Sequence, residues 1–172
     1  MNPFPRKDGI LQAEEVPLPR LAEAVDTPFY VYSASALIAA YRALDEAFEN
    51  VPHLLCYSVK GNMNLAVIRT LVAQGAGADV TSGGELYRAL RAGADPKRIV
   101  YSGVGKTAAE IDAALAAGIR MFNLESRGEL RLLDQRAAAR GKRAPVAFRV
   151  NPDVDPRTHP YISTGLRTSK FG

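Results

Sequence analysis

Lys60 closes the stretch Leu54-Leu55-Cys56-Tyr57-Ser58-Val59-Lys60-Gly61-Asn62, a short apolar run that ends in one amine and a Gly-Asn break. Isolated polar residues stand at the ends of later runs of the same kind: Asp79 and Thr81, Ser102, Asn123 and Glu125, Arg149 and Asn151. A lysine gathered with a carboxylate, a guanidinium and small hydroxyls can do imine chemistry on an aldehyde or ketone. For that its pKa must be lowered by burial or by a nearby cation. Arg149 is a candidate for that cation. Taken singly, each residue also has a plain reading. Lys60 is then a solvated lysine after a strand, and Asp79 with Arg149 is a salt bridge beneath the site.

The elements that must carry these residues read as serial βα units. Apolar runs at Leu54–Val59, Gly77–Val80, Arg98–Tyr101, Arg120–Leu124 and Pro145–Val150 predict five strands. Between them lie three Ser/Thr-x-x-Glu sequences, Ser82–Glu85, Thr107–Glu110 and Ser126–Glu129, each the pattern of a capping box. Gly75, Gly93, Gly118 and Gly141 mark the matching helix ends. Helical crossovers make the strands parallel. Period-two alternation puts Leu54, Cys56, Ser58 and Lys60 on one face of the first strand, and Leu55, Tyr57 and Val59 on the other.

An open doubly wound sheet would need apolar side chains on both faces. One polar tip per strand, aimed one way, suits a barrel whose mouth collects those groups. The expected fold class is therefore α/β, a partial (β/α)8 TIM-type barrel. Five strands fall short of eight, so the chain is expected to be the N-terminal part of a longer protein or to need a second polypeptide.

Ahead of the units, Leu18–Val25 predicts a short helix and Thr27–Tyr32 a strand. Ser33 or Ser35 caps a helix running to about Phe48, with apolar residues Leu37, Ala40, Tyr41, Leu44, Ala47 and Phe48 at helical spacing. The expected organisation is an arm at 1–33 that contributes to a β domain, followed by barrel at 34–172.

Composition narrows the function classes. The net charge of +4 is mild and the basic residues are scattered, without the aromatic-interleaved stripe of a nucleic-acid binder. No apolar run approaches the ~20 residues of a membrane span, and the N-terminus lacks a signal core. The single cysteine, Cys56, excludes a disulfide framework within the chain. A cytoplasmic protein that takes a small molecule is expected. Ser82-Gly83-Gly84 could offer N–H groups to a phosphate, although Ser82 already serves as a cap. His53 reads as solvated. His159 lies in a long polar loop of the kind that serves sites. Asp153 and Asp155 lack convergent ligands, so no metal is expected.

A lysine placed this way serves two chemistries, aldolase-type catalysis on a carbonyl substrate and the anchoring of pyridoxal phosphate. Three stretches bear on that choice: Tyr57–Asn62, Ala78-Asp79-Val80-Thr81-Ser82-Gly83-Gly84-Glu85-Leu86 and Tyr101-Ser102-Gly103-Val104-Gly105-Lys106-Thr107. They resemble the pyridoxal-phosphate decarboxylases of the alanine-racemase barrel class. Arg149–Asp155, Thr158–Gly165 and Ser169–Gly172 resemble the diaminopimelate decarboxylases in particular, and Asp8-Gly9 through Tyr32 matches them too.

The resemblance implies pyridoxal 5'-phosphate as cofactor, Lys60 as its covalent anchor and catalytic residue, and Asp79 and Arg149 near its ring. It also implies a homodimer, and decarboxylation of meso-diaminopimelate to L-lysine. Ser33 departs from the family's aspartate, and Ser58 and Gly61 from its frequent alanines. The family's stacking histidine, glycine-rich phosphate loop, Glu-Pro-Gly-Arg segment and late cysteine and tyrosine do not occur in these 172 residues. The chain alone is thus expected to bind cofactor weakly and not to turn over. The alternatives are a decarboxylase of another basic amino acid or polyamine precursor, and a half-barrel or cofactor carrier without turnover.

Overall fold

The computed structural model describes residues 2–154 and 157–159. Asp155 and residues 160–172, which carry part of the family-like sequence, lie outside the described residues. The chain opens on a small antiparallel sheet, β1 (Arg6–Lys7), β2 (Ile10–Ala13) and β3 (Val16–Pro17), followed by α1 (Leu18–Val25) and α2 (Ala34–Ala47). Ser33 is the N-cap of α2, its hydroxyl accepting from Ala36 N–H. The Glu14 carboxylate reaches across from the β2–β3 turn to the Ser33 hydroxyl and the Ser35 N–H, both at 2.8 Å, and so ties the small sheet to α2.

Five parallel strands follow in order: β4 (Cys56–Ser58), β5 (Gly77–Val80), β6 (Ile99–Tyr101), β7 (Met121–Leu124) and β8 (Val146–Phe148). Between them lie α3 (Leu65–Val72), α4 (Gly83–Arg91), α5 (Ala108–Ala117) and α6 (Arg127–Ala138). Parallel strands that neighbour in sequence order put every helix on the same face of the sheet when their crossovers keep the usual right hand. That is barrel topology. A doubly wound sheet would have reversed its strand order.

The two faces differ as the alternation requires. Ala78, Val80, Ile99, Tyr101, Phe122 and Leu124 point to the helices and are buried with Ile68, Leu86, Ile111, Leu115 and Leu133. Ser58, Asp79, Val100, Asn123 and Ala147 take the opposite face and are half-buried. Gly77 has to be a glycine, because a Cβ there would sit 2.8 Å from Cys56 Sγ and closer still to the Arg98 carbonyl oxygen.

The helix ends agree with their glycines, all four of which (Gly75, Gly93, Gly118 and Gly141) have positive φ. The helix starts are wired differently from expectation. Only Thr107 and Glu110 form a reciprocal capping box. Glu85 accepts instead from the Thr81 N–H and hydroxyl, and Glu129 from the Glu125 N–H. The reason lies in the caps. Ser82 and Ser126 are extended at φ −152° and −159°, against −80° for Thr107. That rotation turns the cap's own N–H away and presents the N–H of the residue before it.

Thr27–Tyr32, expected as a strand, pairs with no strand among the described residues, and Tyr30 is 90 % exposed.

Candidate functional site

The C-terminal ends of the five strands gather the polar residues singled out from sequence. Register brings Ser58 beside Asp79, and Asn123 beside Ala147. A hydrogen-bonded row runs across three of these strand ends and the residue after a fourth. Ser58 Oγ donates to Asp79 Oδ2 at 3.3 Å and Ser102 Oγ to Asp79 Oδ1 at 2.5 Å, while Asn123 Nδ2 donates to Ser102 Oγ at 2.9 Å. Both oxygens of Asp79 are thus held by hydroxyls. At the far end Arg149 meets Glu125 at 3.3 Å, with the Glu125 side chain only 4 % exposed. Ser102, Asn123, Glu125, Ala147, Phe148 and Arg149 line a hollow of about 330 Å³ on this face.

The plain reading of Asp79 and Arg149 as a mutual salt bridge is not what forms. They belong to β5 and the end of β8, with β6 and β7 between. Asp79 is paired with serines, and Glu125 takes the guanidinium. Arg149, the candidate cation for depressing the Lys60 pKa, stands at the end of β8 against the Glu125 carboxylate.

Lys60 needs a second correction. Strand alternation cannot place it, because β4 stops at Ser58 and Val59–Gly61 forms one turn of 3-10 helix. Val59 turns inward and is fully buried, anchoring that turn in the core, while Lys60 is exposed. The turn is braced from two sides: Tyr57 Oη donates to the Asn62 carbonyl at 3.1 Å, and the Arg88 guanidinium donates to the Met63 carbonyl at 3.1 Å. Asn64 caps α3 directly behind it. Lys60 therefore leaves a rigid turn at the C-terminal end of β4. Among the described residues its ammonium forms no hydrogen bond or ion pair.

The phosphate reading of Ser82-Gly83-Gly84 meets an internal anion. Glu110 Oε1 accepts the Gly83 N–H at 2.7 Å, while Oε2 takes the Thr107 N–H at 2.9 Å. Those backbone donors, Thr107 first and then Gly83, hold the Glu110 pKa below the ordinary carboxylate range. The N-terminus of α4 already has its negative charge. Beneath it the Tyr101 hydroxyl is buried without a hydrogen-bond partner among the described residues. Burial, and then the Glu110 charge, push that phenol well above its ordinary pKa.

His53 is exposed, its Nε2 2.9 Å from Asp45 and its Nδ1 2.8 Å from the Val51 carbonyl, away from the strand ends. Cys56 is half-buried on β4, and burial raises its pKa. Among the described residues no group of three His, Cys, Asp or Glu could hold a metal ion, and no helix is long and apolar enough to cross a membrane.

A polar residue that sequence reasoning passed over is Lys106. It is buried against Glu129 at 2.5 Å, immediately behind Ser102 and Asn123. It stands in the sequence between a glycine and a helix cap, inside the Tyr101–Thr107 stretch. The available signal was a glutamate at the start of the next helix, free to pair with something other than its own cap.

The comparisons with known proteins bear on this geometry. Residues 34–172 match the family model described as pyridoxal-dependent decarboxylase, pyridoxal binding domain. A diaminopimelate decarboxylase of Vibrio cholerae is 52% identical over 167 residues, covering 97% of this chain and 40% of that protein. One of Pseudomonas aeruginosa is 52% identical over 172 residues, covering 100% of this chain and 41% of that protein. A crystal structure of diaminopimelate decarboxylase from M. jannaschii in co-complex with L-lysine superposes with a TM-score of 0.92 at 42% identity, covering 99% of this chain and 41% of that one. This chain therefore spans about 40% of the length of the curated relatives it matches.

Proposed function

The chain belongs to the pyridoxal-dependent decarboxylases, matching their pyridoxal-binding domain over residues 34–172, and from that premise we propose that it works as the N-terminal portion of an enzyme that decarboxylates meso-2,6-diaminopimelate to L-lysine. Lys60 is the proposed catalytic residue and the covalent anchor of pyridoxal 5'-phosphate. Asp79 and Arg149 are the proposed groups around the ring. The observation that carries the reading is an exposed amine on a braced turn, unpaired among the described residues, at the same end of a parallel sheet as the Ser58–Asp79–Ser102–Asn123 row.

The residues suit that cofactor. Lys60 is available to an aldehyde, Asp79 is fixed by two hydroxyls, and Arg149 offers a cation to an anionic group. Bound pyridoxal phosphate supplies the sink for the electron pair left as CO₂ departs. The protein's part is to orient the substrate and to move a proton. Freed from the cofactor, Lys60 would take up the proton that the substrate ammonium gives up on reacting, and as an ammonium it could then deliver a proton to the carbon that lost its carboxylate. The proposal extends to a homodimeric, cytoplasmic enzyme in which the arm at 1–33 joins a second, mostly β domain. The family match beginning at residue 34 supports that boundary.

The test is CO₂ release by the complete product of the reading frame, supplied with pyridoxal phosphate and a panel of meso-diaminopimelate, lysine, ornithine and arginine. Release from diaminopimelate alone, lost in Lys60→Ala, is expected. Release from ornithine or arginine would replace the substrate assignment. The 172-residue chain by itself is expected not to turn over, and lysine production by it would contradict that part of the proposal.

A further inference from the structure

Lys106 is an amine for which the proposed reaction has no task. It lies in the glycine-rich loop between β6 and α5, yet its side chain is only 1 % exposed. Nζ donates to the Gly103 carbonyl at 2.7 Å, to the Asn123 carbonyl at 2.8 Å and to Glu129 Oε1 at 2.5 Å. All three ammonium protons are used. The Tyr101 ring lies 5.6 Å below. Glu129 is 8 % exposed in its side chain, and its second oxygen accepts the Glu125 N–H at 2.8 Å.

One buried pair thus holds three points of backbone, at Gly103 beside Ser102, at Asn123 and at Glu125, from the first turn of α6. Asn123 and Glu125 bear side chains that line the hollow next to Arg149, and Gly103 directly follows a third lining residue, Ser102. A buried ion pair contributes little net stability, because desolvating two charges offsets their attraction, and an apolar pair of similar volume folds about as well. Directional bonds to two carbonyls and one amide are what an apolar pair would lack.

We propose that Lys106 and Glu129 are positioning residues. They lock the β6–α5 and β7–α6 loops together so that Ser102, Asn123 and Glu125 face the hollow in a single arrangement. Neither residue touches the reacting groups. As a statement about catalysis this rests on the function proposed above.

The test compares Lys106→Met/Glu129→Leu with the unmodified complete protein. Three quantities are read: melting temperature, kcat and KM on the substrate, and amide hydrogen exchange in the cofactor-free protein. The double variant, which leaves no unpaired buried charge, is expected to melt within a few degrees of the parent. Its kcat falls at least about tenfold while KM stays within about twofold, as misplacement without lost binding predicts. Exchange at Gly103–Gly105 and at Glu125 accelerates.

Recovery of both stability and kcat in the double variant would overturn the proposal, as would unchanged exchange at Glu125. Should the double variant fail to fold, Glu129→Gln, which keeps the shape and removes the charge, must show the same split between kcat and KM. A parent-like kcat in that variant overturns the proposal too. Inactivity of the unmodified protein would count against the proposed function instead, and exchange then decides the positioning role by itself.

Discussion

Replacing Glu110 by alanine asks whether one carboxylate serves two helices. Oε1 takes the Gly83 N–H of α4 at 2.7 Å, and Oε2 takes the N–H and hydroxyl of Thr107 at 2.9 and 2.8 Å. Loss of a capping acceptor costs about 1 kcal/mol for each helix. Loss of an anion at a helix N-terminus costs about 0.5 kcal/mol more. Gly83 is only partly buried, so water recovers a share of the first cost. The expected destabilisation is about 2 kcal/mol, or about 4–8 °C in Tm for a domain of this size.

The pH dependence follows from the lowered pKa of Glu110. A carboxylate whose folded pKa lies below its unfolded value stabilises fully above the unfolded value and loses that contribution as the pH falls through the folded one. Urea unfolding of parent and variant, run near neutral pH and again at about pH 3.5, should therefore show a gap that is full in the first case and shrinks in the second. Equal stabilities at neutral pH, or a gap that widens on acidification, would refute the two-helix role.

Gly77→Ala should destabilise by about 1–3 kcal/mol in chemical denaturation, because the new methyl has to displace the Arg98 carbonyl and Cys56 Sγ; a neutral result would mean that β5 and β6 are not packed as closely as this. His53 has its pKa raised, first by the Val51 carbonyl and then by Asp45. Its contribution is complete below the unfolded pKa and is lost as the pH rises through the folded one. The stability gap between parent and His53→Gln should accordingly close on the alkaline side, and a gap confined to alkaline pH would contradict the assignment.

Much of the architecture could be read from residues because each βα unit carries its own punctuation. A capping hydroxyl, an amphipathic run and a closing glycine recur, so α5 runs from its Thr107 cap to Gly118 and β5 lies at Gly77–Val80 as expected. The polar strand tips also came through, since alternation is a local rule and the strands are short and regular. The failures lie where a local rule gives way to a contact distant in sequence. Alternation was carried two residues too far, to Lys60, because nothing local announces that Val59 dives into the core and winds the chain into a 3-10 turn.

The glutamates of two expected capping boxes went elsewhere for the same kind of reason. Glu129 finds Lys106, 23 residues earlier, and the extended caps leave each carboxylate facing the preceding amide. Glu110 serves the helix before its own, across 27 residues. No pattern within one unit encodes a bond to its neighbour. Thr27–Tyr32 has strand composition, but strand structure needs a partner, and none of the described residues supplies one.

The claim beneath the rest is that the Lys60 amine stands accessible at the mouth of the strands. Incubating the protein with pyridoxal phosphate, reducing with borohydride and mapping the modified peptide by mass spectrometry reads this directly. The pyridoxyl group should be found on Lys60 at stoichiometric cofactor, ahead of every other lysine. Labelling spread over surface lysines such as Lys97 and Lys142, with Lys60 unmodified, would contradict the account.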